Sequence, residues 1–483
     1  MLLAAAASRS APSVARSSAG PMLVEAGAAL IWDRGEARLA RDVTLLIEDD
    51  RIAAVNPRSL PAAAQRLRLP SHLVLPGFIS GHTHVATGTP TRGLIESGRP
   101  YTRPIQLAAA LSDEELDALT AFNLAELLLS GCTTQVEMSL TLRQAESYVR
   151  VASAWGARGY VGAMIPNTTR LSPIWYRDDD QVLFDSEAGT LAEIAANLAF
   201  GERHNNTADD RIRTMMSPHA CDTQTESTMA AIAAAAKKLG NGIHIHLSQS
   251  QTETETVQRL WGMTPTQWCE KHDFFSGPFF GAHMTGLDWE IDPPILKRHG
   301  AVFSHCPSAG GAGGYSMPYP EALAQDMAVN IGIDTHSNDY LENLKLAVLI
   351  GQARYYLRKG QQPPVRLPTV ADAVAGATHV PAAGLRRDDL GRLERGAKAD
   401  WVAIDVSGFF SGAGALPPEP LNNLLYASGS AVRYVMTDGI LQVANGVLQI
   451  ADAEKVLTEG GNVVRKIWSQ LAAEGWFENQ AGG

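Results

Sequence analysis

Positive charge, cysteine and long apolar runs are all scarce in this sequence, and each shortage removes a class of function. Lys and Arg total 40 against 51 acidic residues, a formal net charge of −11. No basic run is dense enough to track a phosphate backbone, so nucleic acid is not expected as a partner. The four cysteines, Cys132, Cys221, Cys269 and Cys306, are scattered without CxxC spacing. They specify neither a thiolate metal site nor a disulfide framework, which fits a reducing, cytoplasmic compartment. Apolar stretches are strand- or helix-length and broken by polar residues, too short for the roughly 30 Å core of a bilayer, so no membrane partner is expected. GTPTRG and SAGGAGG contain glycines but sit on no strand-to-helix phosphate-loop pattern, which argues against nucleotide binding.

What is present is a long chain, 483 residues and 45% hydrophobic, enough for one barrel-sized domain and a smaller one. Residues 1–21 are rich in Ala and Ser with two arginines, and lack a basic start ahead of an apolar core. They read as a disordered extension, with Met22 an alternative start. From Met22 the text turns to short β-rich runs, with Glu48-Asp49-Asp50 as a turn. The C-terminal region repeats that texture, punctuated by the turn signals Asp438-Gly439 and Asn445-Gly446. Two distant segments of one style predict a composite β-sandwich, residues 22–77 joined by 391–483 with a terminal helix.

Between them, over 78–390, β-type runs alternate with helical ones: FISGHTH, CTTQVEMS, YVGAMI, IRTMMSPHA, GIHIHLS, PFFGAHMT, AVFSHC and VNIGID. That order predicts a parallel α/β fold, a (β/α)8 TIM barrel, in preference to a doubly wound sheet. Histidines gather at the C-terminal ends of these runs, where barrel enzymes keep their chemistry. In PGFISGHTH, His82 and His84 are alternate strand residues and converge on one point, where two imidazoles share a metal ion. His244 and His246 form a second such pair, with His246 nearer the strand end. His283 and His305 close later runs, and Asp334 closes VNIGID.

This set resembles the amidohydrolase superfamily, in its cytosine-deaminase-like and triazine-hydrolase-like branch. The likeness extends to ATHVPAAGL and to Gly391–Asp400, which looks like that family's return from barrel to sandwich. The resemblance implies His82, His84, His246 and Asp334 as metal ligands, with His283 beside the site or completing the shell. It implies one divalent metal ion per chain, zinc by default with iron, cobalt and manganese also suited to the donors. No lysine ends YVGAMI or IRTMMSPHA, where two-metal relatives carry a bridging one. Asp334 then takes the proton from an activated water and passes it to the leaving group.

One departure matters. Deaminases of this branch carry a glutamate three residues after the ligand histidine, and this chain has Gln249, which donates a hydrogen bond but no proton. The main expectation is therefore hydrolysis of an amide-, urea- or carbamate-like bond, thiocarbamates included, in a small molecule. The alternative is an aminohydrolase, deaminating or dechlorinating an N-heterocycle such as a purine, pyrimidine or triazine, with Glu137 a candidate acid in place of Gln249. The resemblance adds His219 and Arg92 on the substrate side. His305 at a strand end and His336 two residues past Asp334 join them by position, and Trp175 with Tyr176 fall on a long loop expected over the site. The resemblance also implies a homo-oligomer.

Overall fold

The computed structural model describes residues 20–62, 64–94, 99, 102–171, 187–312 and 317–478. The Trp175–Tyr176 pair and residues 1–19 of the expected extension lie outside them. Four strands open the chain, β1 (Met22–Asp33), β2 (Glu36–Glu48), β3 (Arg51–Val55) and β4 (Gln65–Pro76). The barrel follows: β5 (Phe78–Thr83), β6 (Cys132–Ser139), β7 (Arg158–Ile165), β8 (Ile212–Thr214) continued by β9 (Ser217–Pro218), β10 (Ile243–Leu247), β11 (Phe279–His283), β12 (Val302–His305) and β13 (Ala328–Ile331). Neighbours pair in parallel, and parallel bridges from Met216 to Ile243 and from Thr83 to Asp334 close the ring.

Helices cover the barrel, so strands such as β6 and β7 are buried along their whole length, the pattern of a parallel sheet with both faces hidden. The covering helices start and stop on local chemistry. Ser112, Thr141, Thr225, Ser250 and Thr264 each accept a backbone N–H at a helix start. Gly156, Gly240 and Gly262 end helices in the left-handed conformation that an L side chain resists.

The last strands are β14 (Trp401–Asp405), β15 (Val432–Thr437), β16 (Ile440–Ala444) and β17 (Val447–Leu448). They join the first four in one sheet ordered β17-β16-β15-β14-β4-β1-β2-β3, with β14 antiparallel to β4. Both expected C-terminal turns are present. Asp438-Gly439 and Asn445-Gly446 have φ of 53° and 78°, and 52° and 77°, the signs a tight hairpin turn requires. This composite sheet packs its own core around Val24, Leu45, Val74, Trp401 and Met436. The helix Ala453–Ala473 packs away from it, setting Val463, Ile467 and Leu471 against Leu116 and Leu119 of the barrel helix Asp113–Leu129.

Sheet and barrel meet over a buried ion cluster. Arg158 Nε lies 3.2 Å from Asp400, Arg211 Nη1 2.8 Å from Asp438, and Lys398 Nζ 2.6 Å from the same Asp438. Arg158 and Arg211 stand at the starts of β7 and β8, so the cluster occupies the end of the barrel opposite the histidines.

Candidate metal centre and active site

The strand pleat turns His82 and His84 inward from β5 and its end, and His244 and His246 inward from β10. One ligand nitrogen from each of His82, His84 and His246 falls in a group whose members all lie within 4.8 Å of one another. Second partners fix the ring orientations. His84 Nδ1 faces the Met138 carbonyl at 2.5 Å and His246 Nδ1 the His219 carbonyl at 2.8 Å, so both rings donate there and keep Nε2 as a lone pair. His82 Nδ1 meets His244 Nε2 at 2.8 Å, which leaves His82 Nε2 buried without a hydrogen-bond partner. His244 thus stands behind His82 and orients its ring.

Asp334 comes down on the same point from beyond β13. Its carboxylate lies 3.9 Å from His82 Nε2, 3.6 Å from His84 Nε2 and 3.8 Å from His283 Nε2. The His283 ring stacks on His246 with centroids 5.3 Å apart. His283 and Asp334 both hold positive φ, 77° and 62°, a strained conformation for non-glycine residues that turns each side chain inward as its strand ends. The donors suit a cation. Three neutral imidazoles and a carboxylate form a hard-to-borderline set, and an orphaned buried nitrogen is what an absent ligand bond leaves behind.

The electrostatics agree. Burial pushes the His84 imidazole down to about 3 and His246 to about 4, so neither takes a proton near neutrality. His82 and His283 are also lowered well below their ordinary value, by burial and then by neighbouring imidazoles. Burial raises the Asp334 carboxyl to about 7, the range of a group that exchanges protons at working pH.

The model of the amidohydrolase family matches residues 73–441, well over half of the sequence. The chain belongs to the amidohydrolase family. It is 28% identical over 429 residues to a 5-methylthioadenosine/S-adenosylhomocysteine deaminase of Desulfitobacterium hafniense, covering 86% of this chain and 91% of that protein. A deaminase described in the same words from Symbiobacterium thermophilum is 29% identical over 398 residues, covering 80% and 85%. Among solved structures, the zinc complex of atrazine chlorohydrolase from Arthrobacter aurescens superimposes with a TM-score of 0.78 at 19% identity, over 92% of this chain and all of that one. A zinc-bound adenosine deaminase from Xanthomonas campestris gives 0.74 at 20% identity, over 93% and 98%. As an amidohydrolase, the protein is a hydrolase of carbon–nitrogen bonds other than peptide bonds.

Around the cage of this amidohydrolase the other expected residues divide. His219 is close, its ring centroid 5.2 Å from that of His246. His336 lines a cavity of about 840 Å³ together with Arg92, Glu126, Ser308 and Asn338, and its nearness adds to the burial that lowers His84 and His283. Arg92 is committed, making a bidentate pair with Glu126 at 2.7 and 2.6 Å and donating to the His336 carbonyl. His305 is drawn to a different neighbour, stacking on Tyr319 at 4.8 Å. Gln249 lies just past the end of β10, its backbone N–H donating to Glu253 at 2.6 Å and its carbonyl accepting from Thr285. Glu137 is buried and raised to about 7 by desolvation, while Thr83, Val85 and Ser139 all donate to it. It therefore braces the loop that carries His84.

Two arrangements had no signal in the linear spacing. Cys306 places its sulfur in a second group with His82 and Asp334, where each ligand atom lies within 4.8 Å of the others. Cys221 and Cys269, 48 positions apart, bring their thiols to 3.5 Å. Both thiols are free, in line with the absence of a disulfide framework, and they meet where the turn Cys221–Thr223 packs against the helix Pro265–Lys271.

Proposed function

We propose that the protein is a metal-dependent aminohydrolase of a small N-heterocycle, removing an amino or halide substituent from a purine, pyrimidine or triazine ring by attack of water. The observation that carries this is the convergence of His82, His84, His246 and Asp334 at one end of the barrel. It is supported by relatives that are deaminases of adenine nucleosides and by structural neighbours that are a triazine-class hydrolase and an adenosine deaminase. Zinc is the cation we assign, on the donor set and on those zinc-bound neighbours. When bound, it supplies Lewis acidity and a source of hydroxide near neutral pH.

The chain's own residues do the rest. Asp334 holds the proton taken from water and returns it to the departing nitrogen. His283 and His246, stacked, wall the site beside Asp334. Gln249 offers an amide N–H to a ring nitrogen or carbonyl, orienting it without protonating it. That last point favours a second reading, hydrolysis of an amide, urea or carbamate, whose carbonyl needs no ring protonation.

The deciding experiment is elemental analysis of the purified protein, together with a substrate panel assayed before and after chelation. Ammonia or chloride release from adenine nucleosides, pyrimidines or triazines, lost on chelation, is the expected result. Amine release from ureas or anilides alone would transfer the assignment to the second reading, and a metal-loaded protein inert on both panels would overturn both.

A further inference from the structure

The donors at the end of the barrel fall into two sets, and the proposed reaction gives one of their members, Cys306, no part. His82, His84 and His246 form the first set. The second, His82, Cys306 and Asp334, brings together a nitrogen, a sulfur and an oxygen whose ligand atoms also lie within 4.8 Å of one another. A cation binds nitrogen or oxygen at about 2.1 Å and sulfur at about 2.3 Å, so small side-chain movements bring all three onto one ion.

The backbone holds this second set in place. Ile333 and Asp334 both donate to the His82 carbonyl at 3.0 Å, and Gly332 donates to the His305 carbonyl at 2.8 Å. Those bonds tie the end of β5 to the segments that follow β12 and β13. Gly332 lets them close, since a Cβ there would fall 2.8 Å from Cys306 Sγ and 3.3 Å from His82 Cβ. Cys306 and His82 are fully buried, and Asp334 is the member that meets solvent, its side chain 13% exposed. Because His82 Nδ1 is taken by His244, Nε2 is its one free donor, and it is buried without a hydrogen-bond partner. Cys306 Sγ reaches the Ser304 carbonyl at 3.6 Å, a weak bond that a cation can displace.

We propose that His82, Cys306 and Asp334 form a second cation position, selective for a thiophilic divalent ion such as cadmium, and that this ion and the hydrolytic one exclude each other. Sulfur carries the selectivity, because thiolate favours soft cations whereas imidazole and carboxylate accept harder ones as well. On binding, the S–H bond gives way to a sulfur–metal bond and the proton leaves to solvent. Exclusion follows from His82, whose single free nitrogen cannot serve two ions. A thiophilic ion therefore stops hydrolysis by drawing a ligand away from the first set. The exclusion rests on the zinc site assigned above; the thiol position does not.

Titrating cadmium into the zinc-loaded full chain, followed by ultraviolet difference absorption and elemental analysis, tests this. A thiolate-to-cadmium charge-transfer band is expected to grow as zinc is released, each cadmium bound displacing one zinc. Cys306→Ala and Cys306→Ser are expected to lose the band while keeping zinc and the wild-type circular dichroism. Cys221→Ser with Cys269→Ser, which removes the thiol pair that forms its own contact, is expected to retain it. A band that persists without Cys306, or that vanishes with the other pair, would overturn the thiol position. So would cadmium that displaces zinc with no band, since it then sits among the imidazoles. Cadmium held alongside zinc, with the band present, would overturn the exclusion. A protein that takes up no zinc would fail the function proposed above, and the cadmium band in that protein would still decide the second position.

Discussion

In the proposed reaction, Gln249 offers an amide where an acid would protonate a heteroaromatic substrate. Its main chain is clamped between Glu253 and Thr285, so an acid placed there inherits a held backbone. General acid help of this kind is worth roughly 10²–10⁴ in rate. Gln249→Glu is therefore expected to raise kcat/KM for ammonia release from N-heterocycles by about 10²-fold, with little gain on ureas. Steady-state assays on both panels check this, and an equal gain on the two would show that proton delivery at this position does not discriminate between them.

At the scale of elements, the joint between sheet and barrel rests on charge as well as on apolar packing. Asp438, in the turn between β15 and β16, is fully buried yet faces Arg158, Arg211 and Lys398. Burial alone would raise its carboxyl, but Arg158, Lys398 and Arg211 outweigh that and hold it at about 2. Removing Asp438 leaves Arg158 with Asp400, Lys398 with Asp50 and Arg211 with Asp209, three cations short of one shared buried carboxylate, so Asp438→Asn is expected to cost about 3 kcal/mol. The pH sign follows from a folded value below the ordinary one. The contribution is complete above pH ~4 and is lost as pH falls toward ~2, because the unfolded chain takes up the proton first. Urea unfolding of wild type and variant at pH 7 and at pH 3 measures it, the gap between them narrowing at the lower pH.

Over the whole molecule, β5, β10, β11 and the segment after β13 are held together at one end by residues that a cation would share. A ligand that binds only the folded state adds about 4 kcal/mol at a thousandfold excess over its Kd. Chelation is therefore expected to lower the thermal midpoint by roughly 4 °C, and re-addition of zinc to restore it. His84→Ala should show the lower midpoint with or without zinc. Calorimetry on the four samples checks this, and a midpoint indifferent to chelation in the wild type would count against the metal cage.

The sequence by itself determined the parallel barrel and the HxH site, because strand periodicity and strand-end histidines are local features that survive in one dimension. His82, His84, His246 and Asp334 could be named from spacing and resemblance, and the turns at Asp438-Gly439 and Asn445-Gly446 from two residues each. Tertiary structure alone decided how neighbours share their bonds. It set His244 behind His82, committed Arg92 to Glu126, drew His305 onto Tyr319 and brought Cys221 to Cys269. Those choices depend on which loops the closed barrel places side by side, and a residue's nearest partner across a ring of strands leaves no mark in the order of the chain.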